Sequence, residues 1–66
     1  MKVVNIEYAE VSPAVLEMEV TKAVPNAYVR YRDIDEDFFE FHIGAWNGKM
    51  TPKELCKIEE VLAQYV

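Results

Sequence analysis

Apolar and polar positions alternate over much of the chain. From Val3 to Ala9, Val4, Ile6 and Tyr8 point one way and Asn5 and Glu7 the other, the period of a strand. Ser12-Pro13 interrupts that pattern. In residues 14 to 24, AVLEMEVTKAV, Leu16, Met18 and Val20 alternate with Glu17, Glu19 and Thr21. On a helical wheel the same residues do not separate into two faces, so a strand is favoured. A helix is the alternative, because Ser12-Pro13 supplies a serine cap and a proline at the first helical position. Pro25-Asn26 signals a turn. Two alternating runs follow, Ala27 to Arg32 and Phe38 to Ile43. In the first, Val29 and Tyr31 oppose Arg30 and Arg32; in the second, Phe39, Phe41 and Ile43 oppose Phe38, Glu40 and His42. Joined by Asp33-Ile34-Asp35-Glu36-Asp37, they predict a β-hairpin. Arginines on one strand beside acids on the next suit cross-strand pairing, each pair contributing up to ~1 kcal/mol.

Asn47-Gly48 is a tight-turn dipeptide that reverses the chain after Trp46. Thr51-Pro52-Lys53-Glu54 then reads as a capping box with proline at the first helical position. Leu55, Ile58, Leu62 and Tyr65 recur at helical spacing, with Val61 beside them, while Glu54, Lys57, Glu59 and Glu60 face water. The pattern predicts a helix over 52–65 that lays one stripe on the sheet. The expected fold class is α+β: one domain over residues 1–66, an antiparallel sheet of three or four strands with one C-terminal helix packed on one face.

Length sharpens the picture. At 66 residues the chain holds one domain, and a domain of that size buries only ~60% of the surface its unfolded form exposes. Such domains usually need a staple. Cys56 is the lone cysteine and His42 the lone histidine, so neither an internal disulfide nor a zinc site with the usual ligand spacing is expected. What remains is a well-packed minimal core or self-association, and an aromatic content of 12% is generous for so small an interior. A homodimer is therefore expected. Twelve acids against seven bases give a net charge of −5. That balance disfavours direct nucleic-acid binding, which needs a basic stripe, and favours a basic partner. No apolar run is long enough to span a membrane. Asn5, Glu7 and Glu10 sit where a signal peptide would be apolar, and with a single thiol this points to a cytoplasmic protein.

Few residues carry the pattern of reactive chemistry. Asp33, Asp35 and Asp37 open like a calcium loop, but Phe38 and Gly44 stand where that loop needs glycine and a bidentate glutamate. The expectation is an acidic, solvated turn, with no metal and no cofactor. Glu40 and His42 share a strand face and can pair. The available nucleophiles are Ser12 and Cys56, and Cys56 borders the apolar stripe as a small core residue. A domain this small has little room for a ligand cavity, so an enzyme is not expected.

The surface is more informative. Aromatics lie on both faces of the hairpin, and one helix cannot cover both. Exposed aromatics rimmed by charge mark protein-binding surfaces or close a homodimer. Nine of the twelve acids precede residue 41. A row of carboxylates at strand spacing, Glu17 and Glu19 among them, imitates the phosphates of a nucleic acid and would steer the protein to a basic groove.

The run Asp33-Ile34-Asp35-Glu36-Asp37 followed by Phe38-Phe39-Glu40-Phe41-His42 resembles the small dimeric uracil-DNA glycosylase inhibitors of some bacteriophages. In that family an acidic turn precedes two aromatics, a glutamate, an aromatic and a histidine. The likeness is confined to residues 33–42, and the family's helix and remaining strand do not align with the C-terminal helix here. It implies a dimer presenting acids and an apolar pocket that captures the enzyme's DNA-intercalating side chain. The functional expectation is a small acidic inhibitor that binds a basic nucleic-acid-processing enzyme by DNA mimicry, in a host cytoplasm if phage-encoded. Glu17, Glu19, Asp35, Glu36 and Asp37 would supply the charge, and Phe38, Phe41 and Trp46 the buried anchor. The alternatives are a structural or regulatory homodimer and an inhibitor of a CRISPR effector.

Overall fold

A computed structural model describes residues 2–65. The chain runs β1 (Lys2–Glu7), a 3-10 turn (Tyr8–Glu10), α1 (Pro13–Ala23), β2 (Ala27–Asp33), β3 (Phe38–Ala45) and α2 (Pro52–Leu62). The three strands form one sheet in the order β1-β3-β2, with β3 antiparallel to both neighbours. This is the expected α+β architecture with the C-terminal helix in place and three strands.

The expectation of a strand over residues 14–24 is corrected: that segment is α1. Because β3 is antiparallel to both β1 and β2, those two strands run parallel to each other. A parallel pair cannot be joined by a tight turn and needs a crossover, usually a helix. Leu16 and Val20, four residues apart, are both fully buried, whereas Met18 between them is 61% exposed. The exposed methionine is what imitates strand alternation and blurs the helical wheel. Pro13 occupies the first helical position, as read, but the Ser12 side chain makes no capping bond.

The hairpin and α2 follow the sequence closely. Register pairs Arg32 with Glu40 and Tyr31 with Phe41. The Thr51 hydroxyl accepts from the Glu54 N–H at 3.1 Å, and the Glu54 carboxylate accepts from the Thr51 N–H at 3.0 Å. Regular α2 ends at Leu62, three residues short of the expected 65; Gln64 and Tyr65 then donate to Val61 and Leu62 in a tighter turn.

Both helices cover one face of the sheet. Ile6 from β1 and Phe41 and Ile43 from β3 meet Leu16 and Val20 of α1 and Ile58 and Leu62 of α2 in the core. Deleting one such side chain costs ~2–5 kcal/mol, so these seven residues dominate the fold. Strand parity sends Val3, Asn5, Glu7, Tyr28, Arg30, Arg32, Phe38, Glu40 and His42 to the other face, which no element covers among the described residues.

Element direction also gives the molecule two unlike ends. β1 and β2 run towards the hairpin tip and β3 runs away from it. The tip therefore meets the 3-10 turn, where the Tyr8 N–H donates to the Asp37 carbonyl at 2.9 Å. At the opposite end, Asn26 donates to Asn47 at 3.1 Å beside the start of α2.

Candidate partner-binding surface

The turn at the hairpin tip is built by its own carboxylates. One Asp35 oxygen accepts from the N–H groups of Asp37 (2.7 Å) and Phe38 (3.0 Å). Aspartate suits this position because its short side chain reaches backbone donors two and three residues on. Asp33 accepts a hydrogen bond from the Tyr8 hydroxyl. The Tyr8 ring stacks on Phe39 at 4.1 Å, and Tyr31 meets Phe39 edge-on at 5.5 Å. The Asp33 contact, burial and the charges of Asp33 and Asp35 together push the Tyr8 pKa up to about 12.

Six acids gather at this end: Glu7 and Glu10 from β1 and the 3-10 turn, and Asp33, Asp35, Glu36 and Asp37 from the hairpin. All six are exposed. Apolar groups stand among them. Tyr31 is 53% exposed, Tyr8 and Ile34 are each about two-fifths exposed, and Phe38 is half-buried. Lys22, Lys49 and Lys53 belong to the other end, in the last turn of α1 and around the start of α2. The tip thus carries net negative charge, six acids beside Arg32, and the other end net positive charge, three lysines beside Glu54.

Two concavities open at the acidic end. The larger, about 470 Å³, lies between β1 and the chain after α2, with Glu7, Glu10, Phe38 and Tyr65 in its wall. The smaller, about 260 Å³, shares Glu7 and Phe38 and is bounded by Glu36 and Asp37.

The uncovered sheet face has a different character. Glu40 accepts from His42 Nε2 at 2.7 Å and from Arg32 Nε at 2.9 Å, both on the same oxygen. The His42 bond first, and the Arg32 bond second, hold the Glu40 carboxyl below its ordinary range. Cross-strand pairing of arginine and acid is as expected, and it leaves Glu40 neutralised in place. Further along, the Tyr28 ring lies on Gly44, where an added methyl would meet the tyrosine oxygen at 2.5 Å. Arg30 sits over Tyr28 at 5.5 Å, and Trp46 packs beside it at 4.9 Å.

The expected site residues do not form one surface. Asp35, Glu36, Asp37 and Phe38 are together at the tip. Glu17 and Glu19 lie on α1, and two helical residues are about 200° apart, so they do not share a face as a strand would have required. Glu19 accepts from the Tyr65 hydroxyl at 2.9 Å, outside the tip group, and Glu17 points elsewhere. Burial first, and the Glu19 contact second, raise the Tyr65 pKa. Phe41 is fully buried in the core and leaves the anchor set. Trp46 is 70% exposed but stands at the far end of the sheet.

Tyr31 is already next to the tip group on the hairpin, whereas Tyr8, Glu7 and Glu10 join it only in the folded chain. Their signal in the sequence is indirect, because it needs the pairing of Glu7 with Phe38 across β1 and β3. Among the described residues, no group of three or more His, Cys, Asp or Glu side chains is placed to hold a metal ion. No described helix is long and apolar enough to cross a membrane. No family model, curated protein or solved structure matches the chain.

Proposed function

We propose that this protein is a small, non-enzymatic inhibitor that occupies the basic groove of a nucleic-acid-processing enzyme, with uracil-DNA glycosylase as its first target. One observation carries the reading: six exposed carboxylates and the rings of Tyr8, Tyr31 and Phe38 share one end of the molecule, with three lysines at the other. The carboxylates take the place of phosphates, and the charge axis turns that end towards a positive groove during approach. Desolvated rings at the centre of the contact then supply most of the affinity, with the acids setting orientation and rate. A glycosylase assay on uracil-containing DNA tests this. Stoichiometric loss of activity supports the reading, and full activity under a large molar excess removes this target.

A separate observation favours a second reading, a homodimer closed through the uncovered sheet face. That face exposes half of Val3 and most of Trp46, which packs at a tilt against Tyr28. Sedimentation across a concentration series decides it: a doubled mass supports the dimer, and a constant monomer mass removes it.

A further inference from the structure

The bond from the Tyr8 N–H to the Asp37 carbonyl fixes more than one turn. In an antiparallel ladder, hydrogen-bonded and non-bonded pairs alternate. Counting back from Tyr8, the residues whose N–H and C=O face β3 are Ile6, Val4 and Lys2, opposite Phe39, Phe41 and Ile43. Val3, Asn5 and Glu7 therefore turn their N–H and C=O groups outward, along an edge that no other strand covers among the described residues. Such an edge is a template for another strand unless something blocks it. Among the described residues no proline or helix blocks this one; its own guard is charge.

That charge selects the occupant. Glu7 lies on the edge and Glu10 just beyond it, both in the wall of the larger concavity. Antiparallel self-pairing centred on Asn5 would set the apolar Val3 of one copy opposite Glu7 of the other and give Glu7 and Glu10 no directly opposed base, whereas a basic segment supplies one. The opposite edge, β2, carries Arg30 and Arg32 and has the wrong sign for a basic segment. We propose that the free edge of β1 is a docking strand for an extended, lysine- or arginine-bearing segment of a partner protein. The segment adds to the sheet beside Val3–Glu7 and lays one basic side chain in the concavity against Glu7 and Glu10. Its aliphatic stem covers Phe38 and Tyr65, and its charged head stays at the carboxylates. Five paired residues span roughly 17 Å of strand, which is enough for alternate side chains to be read. The proposal rests on the reading of the acidic end as the contact surface for a basic partner.

The probe is an acetylated, amidated hexapeptide alternating lysine and valine, with its glutamate-valine counterpart as control. Bound to the native chain, the lysine peptide should slow hydrogen exchange at the amides of Val3, Asn5 and Glu7 at least tenfold, and the glutamate peptide should not. Asn5→Pro removes an outward N–H at an edge position where proline is tolerated. It should weaken the lysine peptide about tenfold. Unchanged affinity in folded Asn5→Pro overturns the proposal, as does slowed exchange at Val29 and Tyr31 instead of β1. So does protection of the β1 amides by rising protein concentration alone, since the edge then belongs to a second copy. Exchange on the native chain decides the matter if Asn5→Pro fails to fold. Glycosylase inhibition is read separately. Inhibition that survives Asn5→Pro undiminished overturns the docking strand and leaves the inhibitor reading intact. Full glycosylase activity beside peptide-protected β1 amides removes the glycosylase target and supports the docking strand.

Discussion

Tyr8 ties the acidic end together with three different contacts. Its N–H holds the Asp37 carbonyl, its ring stacks on Phe39 and its hydroxyl donates to Asp33. The hydroxyl contact needs the neutral phenol. Its folded pKa, about 12, lies above the ordinary 10. The raised value favours the protonated form, so the stabilisation is fully present below pH 10 and fades as pH rises from 10 through 12. Asp33→Asn is expected to bring the Tyr8 transition back towards 10, as read by ultraviolet titration against a Tyr8→Phe reference. Gly44 makes a second residue-scale test. A methyl there displaces the Tyr28 ring that lies on it and packs at a tilt against Trp46. Gly44→Ala should cost ~1–3 kcal/mol and shift the emission of Trp46, the only tryptophan. Strand parity made part of this legible in the sequence. Phe39, Phe41 and Ile43 were separable from Phe38, Glu40 and His42 by alternation alone. Alternation does not give depth, however, and it leaves Phe41 among the anchors because nothing local shows that α1 and α2 seal it.

The two helices began with similar grammar and differ in what the structure makes of it. Thr51 caps α2 through its hydroxyl, and the reciprocal Glu54 bond lowers that glutamate's pKa. Ser12 precedes Pro13 in the same way but makes no capping bond. Thr51→Ala should therefore destabilise the protein by about 1 kcal/mol in urea unfolding. Ser12→Ala should change stability by no more than ~0.5 kcal/mol. Equal costs would show that the two starts are equivalent. α2 was legible because its capping box and its apolar stripe agree. α1 was not, because Met18 is apolar yet exposed, and Leu16, Met18 and Val20 then read as one strand face. The fact that decides for a helix, the parallel course of β1 and β2, lies in the pairing of both with β3, far from residues 14–24.

At the scale of the molecule, the count of acids was plain in the sequence and their placement was not. Asp33, Asp35, Glu36 and Asp37 are neighbours in the chain, but Glu7 and Glu10 reach them only because β1 pairs with β3 and ends at Phe38. Glu17 and Glu19 share a face only at strand spacing, which α1 abolishes. The gathered acids repel one another in the free protein. Raising salt from 10 to 150 mM should screen that repulsion and raise the midpoint of thermal unfolding by a few degrees. Asp33 and Asp35 are the exceptions among them, since Asp33 accepts from the Tyr8 hydroxyl and the Asp35 carboxylate closes the turn; Asp35→Ala should destabilise the tip as well as remove a charge. Glu36, Asp37 and Glu10 are free of such duties in the described contacts and are the cleaner probes of recognition. The most direct measurement is the association rate with uracil-DNA glycosylase, by stopped flow, for the native chain and for Glu10→Lys/Glu36→Lys/Asp37→Lys, at low and high salt. The native rate should fall steeply with salt, and the reversed chain should associate at least tenfold more slowly at low salt. Equal rates for the two chains, or a native rate indifferent to salt, would contradict the account.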